Sequence, residues 1–163
     1  MRPIVASIDT VSSELSKMLS NILKHLVDDS PYIIKNSFEF KEKISGMMIG
    51  QTESMVSFDI VSLFTNIPIP LAMEVINEQW DKLKTMTNIP KDIFFEMLRF
   101  CLVDANYFIF NNTYIMGNPL SSIIADITTE ILLRVTLEKL SYTPTCFIKY
   151  VDDIFRDCTY CVN

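Results

Sequence analysis

Two acidic points in the chain have the residue types and the surroundings for metal chemistry. Asp59 ends an apolar segment that begins at Met55, and the adjacent Asp152 and Asp153 lie inside a second apolar segment. Carboxylates in such segments are costly to bury unless a positive charge offsets them. If the two segments form neighbouring strands, their aspartates could hold two Mg²⁺ or Mn²⁺ ions about 3.5–4 Å apart, an arrangement that serves phosphoryl transfer.

A plainer interpretation needs no metal. Aspartate is a common turn residue, so Asp152 and Asp153 could simply form a hairpin turn, with Asp59 as a polar strand end. Spacing alone leaves both interpretations open.

The elements around these acids can be predicted from the apolar periodicity. We expect a helix over 13–27 capped by Ser12 or Ser13, and a short helix capped by Ser37. A strand should follow over 55–60, and a hairpin with the acids at its tip should span 147–155. Between them the pattern predicts two amphipathic helices (72–83 and 90–102), a hairpin around Asn111 and Asn112, and a helix after Pro119. Trp80 and the apolar stripe from Phe94 to Leu102 should be core. This order predicts an α+β fold with helices on one face of an antiparallel sheet.

Composition limits the classes of protein to which the chain can belong. It has 163 residues, 49% of them hydrophobic, which suits one domain. The sequence contains no membrane span and no secretory signal pattern, so we expect an intracellular protein, nuclear or cytoplasmic, without a membrane partner. Cys158 and Cys161 form an isolated C-x-x-C and His25 is the single histidine, so a zinc site is not expected.

The net charge of −6 argues against an ordinary nucleic-acid binder, which should present a basic face. The excess acid lies in residues 51–163, which include the three aspartates. A bound divalent cation would offset part of it.

Three segments resemble catalytic motifs of reverse transcriptases, in the form found in Penelope-like retroelements. They are residues 58–68 (FDIVSLFTNIP), residues 116–126 (MGNPLSSIIAD) and residues 150–153 (YVDD), in the order of that family. Residues 2–5 (RPIV) are also similar to the end of the family's fingers strands. The similarity implies a right-hand polymerase palm at 51–163, a remnant of the fingers at 1–50, and no thumb.

The resemblance also implies roles for individual residues. Asp59 and Asp152 would bind two Mg²⁺ or Mn²⁺ ions, Asp153 would assist, and the backbone carbonyl of Ile60 would be a further ligand. The partners would be an RNA template, a DNA primer and deoxynucleoside triphosphates.

Further positions correspond to the family's nucleotide contacts. Phe64 would be the gate that excludes a 2′-hydroxyl, although core packing explains it as well. Gly117, Pro119 and Leu120 would support the nucleotide or template, or would only form a glycine-proline turn. Arg2 could reach the triphosphate, or could face solvent.

The chain also departs from the family's pattern. No glutamine- and glycine-containing segment precedes Met116, asparagine stands at 118 where serine is usual, and serine stands at 122 where proline is usual. Only ten residues follow Asp153. We therefore expect a fragmentary reverse transcriptase palm that is incomplete on its own. The alternatives are a catalytically inactive relic or an interaction module on the same scaffold, and a two-metal nuclease that uses the same acids.

Overall fold

The computed structural model describes residues 10–28, 30–61, 63, 66–105, 109–110, 113–114, 118–140 and 144–159. The chain divides into two compact units, each built from two separate segments. The helical unit comprises Met1–Asp29 and Ser62–Ile131, and the sheet unit comprises Ser30–Val61 and Leu132–Asn163. This division differs from the predicted boundary between fingers and palm at residue 50, which stays a prediction.

The helical unit contains most of the helices. They are α1 (Val11–Leu23), extended by a 3-10 turn (Lys24–Leu26), α3 (Ile69–Glu78), α4 (Trp80–Leu83), α5 (Lys91–Arg99), extended by a π-helical turn (Phe100–Asp104), and the first part of α6 (Leu120–Lys139). The predicted hairpin around Asn111 and Asn112 is present as two short antiparallel strands, β2 (Ile109–Phe110) and β3 (Thr113–Tyr114).

Helical spacing of apolar residues builds the core of this unit. Residues three or four apart lie on one face of a helix, and those faces are buried here. The fully buried side chains include Leu19, Leu23, Ile76, Phe94, Leu98 and Leu120. Trp80 is half-buried, with its ring centroid 5.3 Å from that of Phe94. The predicted core stripe from Phe94 to Leu102 is confirmed at Phe94, Leu98, Cys101 and Leu102.

The helix starts differ from the predictions. Thr10 is the N-cap of α1, whereas Ser12 and Ser13 lie inside the helix and are buried. Asn36, not Ser37, caps α2 (Ser37–Ile44), because its side-chain oxygen accepts from the backbone N–H groups of Phe38 and Glu39. Asparagine is as good an N-cap as serine, so composition alone did not separate these neighbours.

The sheet unit contains a three-stranded antiparallel sheet in the order β1-β5-β4. Its strands are β1 (Glu53–Asp59), β4 (Phe147–Tyr150) and β5 (Asp153–Thr159). Helix α2 packs against one face of this sheet, where Phe40 and Phe155 meet edge to face with their centroids 5.0 Å apart. Ile34, Cys146 and Ile148 form the buried centre of that contact.

The predicted class is thus confirmed at the level of an α+β protein with a small antiparallel sheet and six helices in the described residues. None of the described helices combines the length and the hydrophobicity needed to cross a lipid bilayer.

Candidate metal site at the strand ends

The register of the sheet brings the two acidic points together. Asp59, the last residue of β1, is the direct partner of Asp153, the first residue of β5. The predicted approach of the two sequence segments is therefore confirmed for the backbone, although about 90 residues of chain separate them.

The hydrogen bonds show which kind of pair this is. The N–H of Ile60 donates to the carbonyl of Asp152 at 2.9 Å, so Ile60 and Asp152 occupy a hydrogen-bonded position one step beyond the strands. Hydrogen-bonded and non-hydrogen-bonded pairs alternate in an antiparallel ladder. Asp59 and Asp153 therefore form a non-hydrogen-bonded pair, in which the Cα atoms are about 4.5 Å apart and the side chains lie closest.

Directly opposed residues of an antiparallel pair project from the same face of the sheet. Asp59 and Asp153 consequently place two carboxylates side by side, and both residues are exposed. Like charges in this position destabilise a sheet. A cation between the two carboxylates would remove that repulsion.

The third acid lies in the turn between β4 and β5. Tyr150 pairs with Asp153, which leaves Val151 and Asp152 as a two-residue hairpin loop. Val151 has a φ of 54°, and Asp152 has no positive φ. A positive φ at the first loop position alone is the signature of a type II′ turn, a position that glycine normally occupies.

A β-branched residue in this conformation is an outlier. Such backbone strain costs about 1–3 kcal/mol and is concentrated at functional sites. Asp152, the second residue of this turn, is half-buried and directly precedes Asp153 in the chain. No sequence pattern predicted this strain, because the turn contains neither glycine nor asparagine.

A buried carboxylate behind the turn holds the hairpin in register. Asp157 is 5% exposed and accepts hydrogen bonds from the backbone N–H groups of Cys146 at 2.6 Å and Thr145 at 3.1 Å. Asp157 is not among the site residues predicted from the sequence. The available signal was its spacing, because it follows Asp153 and Phe155 at intervals of two and therefore lies on the same face.

The chemistry of the donors suits a hard divalent cation. Carboxylate and carbonyl oxygens are what Mg²⁺ prefers, and it usually takes one or two carboxylates together with waters and phosphates. Among the described residues, no three acidic, histidine or cysteine side chains are gathered into a ready-made metal group. The residues fit an ion held by two carboxylates better than a closed protein cage.

The other predicted site residues divide into two groups. Arg2, Phe64 and Gly117 lie outside the described residues, as do the side chains of Cys158 and Cys161. Pro119 and Leu120 belong to the helical unit, at the start of α6.

The start of α6 has a local explanation. The side-chain oxygen of Asn118 accepts from the N–H of Leu120 at 2.9 Å, and its amide donates to the carbonyl of Cys101 at 2.8 Å. Leu120 is fully buried in the helical core. Its contribution in this structure is packing, and a role in supporting a nucleotide stays a prediction.

Comparisons of the sequence with models of known protein families and with curated proteins give no match.

Proposed function

We propose that the strand-end acids are the metal centre of a reverse transcriptase palm, an RNA-directed DNA polymerase of the kind found in Penelope-like retroelements. The observation that carries the proposal is the directly opposed pair of Asp59 and Asp153, next to a strained turn that contains Asp152. A polar turn alone would not require two like charges to face each other on one side of a sheet.

In this proposal Asp59 and Asp152 hold two Mg²⁺ or Mn²⁺ ions, with Asp153 and the carbonyl of Ile60 as further ligands. Two such ions, when bound, stabilise the attacking and leaving oxygens of a phosphoryl transfer. The reaction is attack of a DNA primer 3′-hydroxyl on the α-phosphate of a deoxynucleoside triphosphate, with pyrophosphate leaving, directed by an RNA template. Phe64, Gly117, Pro119, Leu120 and Arg2 keep the nucleotide-binding roles that the resemblance implies.

A second candidate is a catalytically inactive relic, or an interaction module on the same scaffold. Two observations favour it: the net charge of −6, which repels a nucleic-acid backbone, and the shortened segment before Met116. Both candidates share the α+β scaffold, so fold cannot separate them.

Metal binding and primer extension separate the candidates. The purified chain is titrated with Mg²⁺ and Mn²⁺. For extension, the chain is joined to the fingers and thumb of a Penelope-like reverse transcriptase and incubated with a primed RNA template and deoxynucleotides. The polymerase proposal expects saturable metal binding and extension, both lost in Asp59→Asn. Binding without extension would favour the inactive relic, and the absence of both in the wild type would reject the metal centre.

A further inference from the structure

A cavity of about 480 Å³ lies within the sheet unit, beside the acidic pair formed by Asp59 and Asp153. Its sheet side is formed by Ser57, Ile148, Tyr150, Asp153 and Phe155, and its other side by Ile34 and the first turn of α2. The register of β1, β5 and β4 places all five sheet residues on one face, the face that carries Asp59. Its volume is within the range of small-molecule sites.

The wall of the cavity is mainly apolar. Ile34 and Ile148 are buried residues of this wall, and the rings of Phe40 and Phe155 meet edge to face within it. Edge-to-face rings leave aromatic surface on which a further ring or alkyl group can pack. The cavity is therefore suited to an apolar or aromatic group.

The polar groups of the cavity favour a cation. Asp153 supplies a carboxylate at its rim, and Ser57 and Tyr150 supply hydroxyl groups. The side-chain oxygen of Asn36 is already used to cap α2. No lysine or arginine is among the described residues that line the cavity, so the negative charge of Asp153 has no basic counterpart within it.

We propose that this cavity binds a small organic cation that carries an aromatic group. Its ammonium contacts the carboxylate of Asp153, and its aromatic group packs against the exposed surface of Phe40, Ile148 and Phe155. Because Asp153 faces Asp59, such a ligand competes with a divalent cation for the same carboxylate. Binding in the cavity is independent of the polymerase proposal, and only the competition rests on it.

Two probes of nearly equal shape test whether a positive charge on the ligand strengthens its binding. Tryptamine carries an ammonium group at neutral pH, and tryptophol carries a neutral hydroxyl on the same indole-ethyl frame. We expect tryptamine to bind the full chain about threefold to fivefold more tightly, the modest gain of a partly exposed ion pair. Asp153→Asn should bring the ratio of the two affinities close to one, whereas Asp92→Asn on α5 should leave it unchanged.

NMR of the wild-type chain shows where the probe binds. Tryptamine should shift the backbone amide NMR signals of Ile34, Phe40 and Ile148 and leave those of α5 unshifted. Phe40→Ala should weaken the binding of both probes. Equal affinity of tryptamine and tryptophol for the wild type, or shifts confined to other surfaces, would overturn the proposal.

Adding Mg²⁺ or Mn²⁺ gives the last arm of the test. A divalent ion at the acidic pair should weaken tryptamine binding and leave tryptophol binding unchanged. If tryptamine binds in the cavity but no metal effect is found, the organic-cation site stands and Asp153 is rejected as a ligand of the divalent ion.

Discussion

The carboxylate of Asp157 accepts a hydrogen bond from the backbone N–H of Cys146 at 2.6 Å, which ties the start of β4 to β5. The same carboxylate accepts from Thr145, so one buried side chain satisfies two backbone donors. The hairpin that carries Asp152 is thus held at its open end as well as at its turn.

Asp157→Asn should therefore destabilise the chain. An asparagine oxygen can satisfy one donor, but its amide group would face the other backbone N–H, leaving a buried donor unpaired. The expected loss is about 1–3 kcal/mol in the free energy of unfolding, measured by urea denaturation. Glu96→Gln, at an exposed position inside α5, is the control and should change stability little. An unchanged midpoint for Asp157→Asn would show that these hydrogen bonds contribute nothing net.

Asp59→Asn should have the opposite effect in the absence of metal. Removing one of two facing carboxylates relieves a like-charge pair, so the free energy of unfolding should rise by about 0.2–1 kcal/mol. The gain should shrink as salt screens the repulsion, because both residues are exposed. A gain that does not change between low and high salt would point to a cause other than charge.

Divalent cations should make the wild type more stable than Asp59→Asn, which is the reverse of the order expected without metal. Mg²⁺ or Mn²⁺ binds the native state preferentially and should raise the melting temperature of the wild type. The double variant with Asp59→Asn and Asp152→Asn should show no such rise, and a double variant with Asp81→Asn and Asp92→Asn should respond like the wild type. An equal response of all three proteins would mean that the cations act elsewhere.

Val151→Gly should stabilise the hairpin, because glycine adopts a positive φ without steric cost. The strain relieved exceeds the extra backbone entropy that glycine loses on folding, so we expect a net gain of about 1 kcal/mol. Val61→Gly is the matched control, since Val61 is also an exposed valine in a turn but has no positive φ. A loss of stability in Val151→Gly as large as that in Val61→Gly would show that the backbone at Val151 is not strained.

The thiols of Cys101 and Cys146 should react slowly in the native chain. Burial raises the pKa of both thiols, and the carboxylate of Asp157 raises that of Cys146 further. The thiolate is the reactive form, so alkylation by iodoacetamide at pH 8 should be slow at both residues and fast in urea. Mass spectrometry of the alkylated peptides measures each site separately. Because these pKa values are raised on folding, the two thiols favour the native state below the ordinary cysteine pKa, and that contribution is lost as the pH rises above it.

Local patterns in the sequence predicted the elements well. The apolar segment that begins at Met55 and ends near Asp59 predicted β1, and the apolar residues on either side of Asp152 predicted the last hairpin. The stripe from Phe94 to Leu102 predicted a buried helix face. Each of these elements depends on residues within a few positions of one another, so each could be predicted from the sequence alone.

Three features of the site depend on longer-range structure. The pairing of Asp59 with Asp153 depends on the register between distant strands, which no local pattern sets. The positive φ of Val151 is imposed by the two-residue turn against the preference of valine. The cavity beside Asp153 is formed by residues from 34 to 155, so it exists only once the sheet unit has assembled.

The order in which the strands leave the ribosome has a consequence for synthesis. Among the described strands, β1 pairs with β5 alone, and about 90 residues must be translated between them. At about 5–20 residues per second, β1 stays unpaired for roughly 5–20 s. During that interval its unpaired edge, with Phe58 among its residues, is open to strands of other nascent chains. Slower translation of residues 60–152 should therefore increase aggregation on the ribosome, and early binding of a chaperone to residues 53–59 should prevent it.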